Sequence, residues 1–295
     1  MTLPRRSFTR WLTALGAGSA AASSHAADAP HGAASAPAAA TKASAEAHHT
    51  EAMQRYASLL AGEKLVIGMV VYPGMFLQDL VGPLTVFEAL MNRDIHLLWK
   101  TTEPVGNESP GPQALIPVTP TTAFKDCPEK LDVLFVPGGV PGTLTVMEDP
   151  EVIAFLQQHG ATARYVTSVC TGSLALGAAG LLKGYRATSH WATRDVLRDL
   201  GAIPAKGRIV VDRNRITGGG VTAGIDFGLA LVALLRSPLY AKTVQLYLEY
   251  DPAPPFNAGS PETAPRVARA FMLDMFAGMV VTAKATARRA MARLG

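Results

Sequence analysis

From Lys64 onward the chain alternates short apolar runs with segments whose apolar residues recur at helical spacing. Leu65-Val66-Ile67-Gly68-Met69-Val70-Val71 is apolar and partly β-branched, and Pro73-Gly74 closes it. That is the pattern of a strand buried on both faces of a parallel sheet. Leu80, Leu84, Phe87 and Leu90 then follow at helical intervals and predict a helix over 80–91. Further strands are predicted at 95–99, at 133–136 before Pro137-Gly138-Gly139, and at 165–169, which runs directly into Cys170. Helices are predicted over about 149–159 and 172–182, strands over 209–212 and 215–217, and helices over 222–235 and 238–247. A long helix over about 264–293 closes the chain, with Val267, Phe271, Met275 and Met279 as its apolar stripe. Strands alternating with helices imply right-handed βαβ units. The expectation is therefore an α/β fold, one mostly parallel sheet with helices on both faces, in a single domain over 61–295.

The opening residues follow another pattern. Arg5-Arg6-Ser7-Phe8 precede an apolar, small-residue run from Trp11 to Ala22, which ends near Ser24-His25-Ala26-Ala27. A charged start, a short apolar run and a small-residue end predict an export signal over 1–27. The paired arginines favour the twin-arginine route and a periplasmic destination. The run is shorter than the ~20 residues that span a bilayer, so no permanent membrane anchor is expected. Residues 28–60 read as a disordered, Ala-rich linker. Its His31, His48 and His49 are scattered, and no metal site is expected from them.

Composition narrows the picture little. The 295 residues are 48% hydrophobic, enough for a sizeable core. The net charge of +4 looks basic. Half of that excess lies before residue 61, where Arg5, Arg6, Arg10, Lys42 and Arg55 stand against Asp28, Glu46 and Glu51. The folded part is close to neutral, which predicts no nucleic-acid partner and suits a small neutral organic substrate. Lys284, Arg288, Arg289 and Arg293 on the last helix read as a solvated face.

The chemistry concentrates where strands end. Cys170 follows a predicted strand and precedes a helix, in Ser168-Val169-Cys170-Thr171-Gly172-Ser173. Ligands of parallel α/β sheets bind at that edge. Gly172 and Ser173 permit a sharp turn, and a helix N-terminus favours a thiolate. From position alone, a nucleophile and a buried, inert thiol are both open readings. A disulfide to Cys127 is not expected, because Cys127 precedes a strand and Cys170 follows one. Those sheet edges lie roughly 15–20 Å apart, beyond the ~7 Å that a bridge allows. Asp79, after the first strand's turn, reads either as a helix N-cap or as a proton donor sharing a proton with the thiolate. His190 in Thr188-Ser189-His190-Trp191 reads either as a base or orienter for Cys170 or as a core histidine capping a helix that starts near 192. Gly218-Gly219-Gly220 is a tight turn without nucleotide-binding spacing.

Asp79-Leu80-Val81-Gly82-Pro83, Val136-Pro137-Gly138-Gly139, Ser168–Ser173 and Ala187–Trp191 occur in this order, followed by Thr217–Phe227 and Glu249–Pro261. Together they resemble the ThiJ/PfpI branch of the class I glutamine amidotransferase-like superfamily, and within it the isonitrile (isocyanide) hydratases. The resemblance covers about 64–262. It implies a flavodoxin-like three-layer fold, a homodimer and a site without cofactor or metal. It also implies Cys170 as nucleophile, Asp79 as general acid and base, Thr171 hydrogen-bonded within the site, and His190 close to the cysteine. Gly82, Gly138, Gly139 and Gly172 would line the substrate or hold a developing anion. The export signal and the long last helix depart from the usual hydratase pattern.

The activity so implied is hydration of an isonitrile to an N-substituted formamide through a thioimidate on Cys170. Two other classes carry the same motifs. One is a PfpI-like hydrolase or amidase using Cys170 with His190 as base. The other is a small-molecule sensor like those of AraC-type regulators, against which the chain after Pro261 holds little beyond one helix. A reactive cysteine also admits a redox role, which peroxide sensitivity of Cys170 would reveal.

Overall fold

The structure, a computed structural model, describes residues 38–106 and 116–295, with side chains from residue 44 onward. The predicted export signal, His31 and the start of the linker lie outside the described residues. The chain forms two units, residues 1–52 and 53–295. Helix α1 (Ala38–Arg55) occupies part of the stretch expected to lack structure. Its alanine-rich sequence favours helix. The expectation of disorder came from how little apolar surface the segment can bury, and residues 44–52 are all exposed.

The second unit includes α2 (Ala57–Leu60) and is built on a seven-stranded sheet. Its strands are β1 (Leu65–Val70), β2 (Arg93–Trp99), β3 (Thr122–Ala123), β4 (Val133–Val136), β5 (Tyr165–Ser168), β8 (Ile209–Asp212) and β9 (Arg215–Gly218), in the order β3-β2-β1-β4-β5-β9-β8. A two-stranded ribbon pairs β6 (Arg186–Ala187) with β7 (Ile203–Pro204). All pairs in the main sheet are parallel except β8 with β9, a hairpin that turns through Arg213 at φ 54°. The central strand β4 is buried at every position, as expected for a strand covered on both faces.

Two groups of helices cover the sheet. In one, α3 (Leu77–Glu88) packs on α7 (Ala223–Leu235), which packs on α8 (Pro238–Tyr247). The other comprises α4 (Gly142–Glu148), α5 (Pro150–Thr162), α6 (Gly172–Ala178) and α9 (Arg266–Leu294). This is the α/β architecture that the alternation predicted.

Several details differ from the sequence reading. Helix α3 starts at Leu77, because the Phe76 carbonyl already accepts the Asp79 N–H at 3.0 Å. Helix α6 ends at Ala178, and Gly180 at φ 76° turns the chain away. Helix α4 begins in a Gly- and Pro-rich stretch whose composition hid it. The stripe expected to seat α9 is exposed at Val267, Phe271 and Met275, whereas Ala283, Thr286, Ala287 and Ala290 are the buried positions. Small side chains let the second half of α9 approach α4 and α6 closely. The basic face is correspondingly engaged, for Arg289 pairs with Glu148 at 2.6 Å and Arg293 donates to the Met147 carbonyl at 2.8 Å.

Candidate active site

Strands β4 and β5 run side by side with Val136 opposite Ser168, so Pro137-Gly138-Gly139 and Val169-Cys170-Thr171 leave the sheet at the same edge. Helix α3, which follows β1 on the other side of β4, brings Asp79 there. Cys170 adopts φ 54°, a left-handed conformation that costs a non-glycine residue about 1 kcal/mol. Its surroundings over-determine that geometry. The Cys170 N–H is shared between the carbonyls of Gly219 at 2.7 Å and Gly218 at 3.2 Å. Its carbonyl accepts from the hydroxyls of Ser189 at 3.0 Å and Ser173 at 3.2 Å. Backbone strain fixed by so many bonds is characteristic of functional sites.

The N-cap reading of Asp79 is corrected: Phe76 occupies the cap position, and Asp79 is the third residue of the helix, fully buried. Its Oδ2 accepts the Gly138 N–H at 3.0 Å. A Cβ placed on Gly138 would lie 2.7 Å from Asp79 Oδ2 and 2.8 Å from Cys170 Cβ. The carboxyl group and the cysteine are therefore neighbours across a glycine that leaves room for nothing larger.

Thr171, next to the cysteine, is buried and hydrogen-bonded. Its Oγ1 accepts the Gly139 N–H at 2.9 Å and lies 2.8 Å from Thr143 Oγ1, which lies 3.0 Å from the Tyr72 hydroxyl. Tyr72 donates its proton to the Pro137 carbonyl at 2.7 Å. Counting protons then orients the chain, with Thr171 donating to Thr143 and Thr143 to Tyr72. Thr171 thus clamps the Gly139 loop and turns its proton away from the cysteine. Neither Tyr72 nor Thr143 stood out in the sequence, since both join the site through tertiary contacts alone.

The four glycines divide. The amides of Gly138 and Gly139 hold Asp79 and Thr171, and that of Gly172 donates to the Val169 carbonyl at 3.0 Å, so none of the three is directed at an anion. Their place in the site is steric: a Cβ on Gly172 would meet the Val136 carbonyl at 2.2 Å. Gly82 is buried within α3. A Cβ there would meet Gln78 Nε2 at 3.3 Å and Ile225 of α7 at 3.6 Å, so it faces α7. Conversely, Gly218-Gly219-Gly220, which carried no signal as a nucleotide loop, supplies the acceptors that hold the cysteine's amide.

His190 lies one residue beyond Ser189, with its Cδ2 3.1 Å from where a Gly220 Cβ would stand. Its Nδ1 accepts a long bond from the Ala192 N–H at 3.4 Å, which assigns the proton of the neutral ring to Nε2. Burial pushes its pKa below the usual 6.5, so the ring is neutral at pH 7. It does not cap the following 3-10 helix (Arg194–Leu200), whose cap position is Thr193. Trp191 and Phe276 pack on it, with ring centroids 5.5 and 5.4 Å away. His96 bonds to Thr122 Oγ1 between β2 and β3 at 2.8 Å, and His159 packs on Phe155 in α5. Neither cysteine forms a disulfide, and burial raises the pKa of the Cys127 thiol to about 11. No cluster suited to a metal ion occurs among the described residues.

A parallel sheet of this order, with a strained cysteine at a strand-to-helix turn and a buried carboxyl beside it, defines a class of α/β proteins with their chemistry at the sheet's C-terminal edge. The chain belongs to the DJ-1/PfpI family, whose pattern matches residues 66–234. It is 54% identical over 201 residues to an isonitrile hydratase of Pseudomonas putida, covering 68% of this chain and 85% of that one. A solved ThiJ/PfpI family protein of Pseudomonas syringae superposes with a TM-score of 0.74 at 52% identity, covering 77% of this chain and 92% of its own. The transcriptional regulator GbdR of Pseudomonas aeruginosa is 32% identical over 158 residues, which span 53% of this chain and 42% of the regulator.

Proposed function

We propose that this protein is an isonitrile hydratase with Cys170 as nucleophile and Asp79 as proton carrier. The observation that carries the reading is the pairing of Cys170, held at φ 54°, with buried Asp79 across Gly138, in a chain 54% identical to an isonitrile hydratase. The Cys170 sulfur attacks the terminal carbon of R–N≡C, forming a C–S bond, while Asp79 delivers a proton to that carbon. The product is the thioimidate R–N=CH–S–Cys170. Asp79, now a carboxylate, takes a proton from water as the water oxygen adds to the same carbon, and passes that proton to the nitrogen. Collapse breaks the C–S bond, returns the hydroxyl proton to Asp79, and releases R–NH–CHO and the Cys170 thiolate, which completes the addition of one water. Dividing the hydration into two steps is the advantage of the covalent route. None of the described hydrogen bonds uses the Thr171 N–H, which leaves it able to face charge that develops at the turn. His190, neutral and carrying its proton on Nε2, has no required step in this scheme.

The similarity to GbdR favours a sensor as the second reading. Purified protein incubated with cyclohexyl isocyanide decides between them. Formamide made by wild type and lost in Cys170→Ala and Asp79→Asn supports the hydratase; well-folded, reduced protein that makes none over several R groups supports the sensor. We also propose export to the periplasm as a homodimer, tested by cell fractionation with and without Arg5→Lys/Arg6→Lys and by light scattering of the purified protein.

A further inference from the structure

We infer that the cavity beside the Cys170 turn holds the substituent of the isonitrile, and that this substituent bears an acidic group bound by Arg194. The inference rests on the hydratase reading. The cavity encloses about 550 Å³, the size of a small organic ligand. It adjoins the turn that carries the cysteine, since its wall residues Gly219 and Ser189 are among those bonded to the Cys170 amide and carbonyl. His190 and Trp191 also line it, with Phe276 packed behind them, so one side is aromatic and suits a hydrocarbon chain.

Three cations line the cavity: Arg194, Lys206 and Arg208. Two are already compensated. Lys206 Nζ lies 3.1 Å from Glu262 Oε1, and Arg208 Nη2 lies 2.6 Å from Asp226 Oδ2 and 2.8 Å from the Thr222 carbonyl. Arg194 differs, having neither an ion-pair partner nor a hydrogen-bonded acceptor among the described residues, although it is half-buried. A guanidinium withdrawn from water gains most from an anion that accepts two of its N–H groups, which a carboxylate does. Its position is fixed relative to the cysteine. Ser189 Oγ lies 3.0 Å from Thr193 Oγ1, so the turn carrying Arg194 is tied to the Cys170 carbonyl through two hydroxyls. An aromatic wall and one uncompensated guanidinium select an isocyano carboxylic acid, with its isonitrile at Cys170 and its acid at Arg194. This replaces the neutral substituent expected from overall charge, which averaged away the cations gathered here.

The test compares kcat/KM for 6-isocyanohexanoate and hexyl isocyanide, which share a chain length, in wild type, Arg194→Gln and Arg194→Lys. Wild type is expected to prefer the acid by about 10- to 100-fold, the value of one charged hydrogen-bonded contact. Arg194→Gln should bring the ratio near one, with Arg194→Lys in between. A damaged fold would lower both substrates together and leave the ratio intact. No preference in wild type, or an unchanged ratio in Arg194→Gln, overturns the inference. Should wild type turn over neither substrate, the hydratase reading fails and a second measurement decides the acid site by itself. Trp191 fluorescence in Cys170→Ala is titrated with 6-formamidohexanoate and with N-hexylformamide. Tighter binding of the acid that disappears on adding Arg194→Gln supports the site; equal affinities overturn it.

Discussion

Replacing Gly138 by alanine probes the geometry on which the site depends. Gly138 does not occupy the left-handed region, so alanine is barred by contact and not by backbone conformation. Its Cβ would stand 2.5 Å from Thr171 N, 2.7 Å from Asp79 Oδ2 and 2.8 Å from Cys170 Cβ. Two of these atoms belong to the backbone or its first side-chain carbon, and neither can swing aside. Restoring ordinary contact requires the β4 loop and the cysteine turn to part by about 1 Å. Overpacking of this kind costs about 1–3 kcal/mol. A displacement of about 1 Å between reacting groups costs roughly 100-fold in rate. Urea unfolding should therefore show a lower midpoint with an unchanged slope. Formamide production from cyclohexyl isocyanide should fall by about two orders of magnitude. Alkylation of Cys170 by iodoacetamide gives a readout independent of substrate, and its rate should change as the turn shifts. Gly138→Ala with wild-type midpoint, alkylation rate and turnover would refute the close packing of cysteine and carboxyl across this glycine.

Gly278 lies exposed in α9 with nothing within 4 Å of a Cβ, so Gly278→Ala should raise stability by about 0.5–1 kcal/mol in urea unfolding. Thr143→Val keeps the shape of a fully buried side chain but strips a partner from the Tyr72 and Thr171 hydroxyls, and should cost about 1–3 kcal/mol by the same assay. Burial lowers the pKa of both His159 and His190 below 6.5. Between the folded and unfolded values the unfolded chain binds more protons, so stability should be full above about pH 6.5 and fall as the pH drops through and below it. His159→Gln should flatten that dependence in pH-resolved unfolding. With its thiol raised to about 11, Cys127 should resist iodoacetamide at pH 7.5, and mass spectrometry of Cys170→Ala should find almost no labelled native protein.

The sequence by itself determined the elements whose signals are local. The run from Leu65 to Val71, the strand ending at Cys170, and the helices over 223–235 and 238–247 were legible because burial on both faces or at helical spacing writes itself into consecutive residues. The motif around Cys170 was legible for the same reason, since a sharp strand-to-helix turn demands small residues beside it. What that cysteine touches was legible only in part: the resemblance named Asp79 and Gly138 for the site, but not how they pack there or that Tyr72 and Thr143 join them. Asp79, Gly138, Tyr72 and Thr143 reach the site from separate connections and helices, and Gly218 and Gly219 hold its amide from a strand about fifty residues further on. The sheet order decides which of these connections meet. Tertiary structure likewise set Gly82 against α7 and chose Ala283, Ala287 and Ala290 over Phe271 and Met275 as the seat of α9. It also gathered Arg194, Lys206 and Arg208 around one cavity. Charge summed along a chain carries no record of where folding brings it together, because Coulomb interactions and hydrogen bonds depend on distance in space and not on separation in sequence.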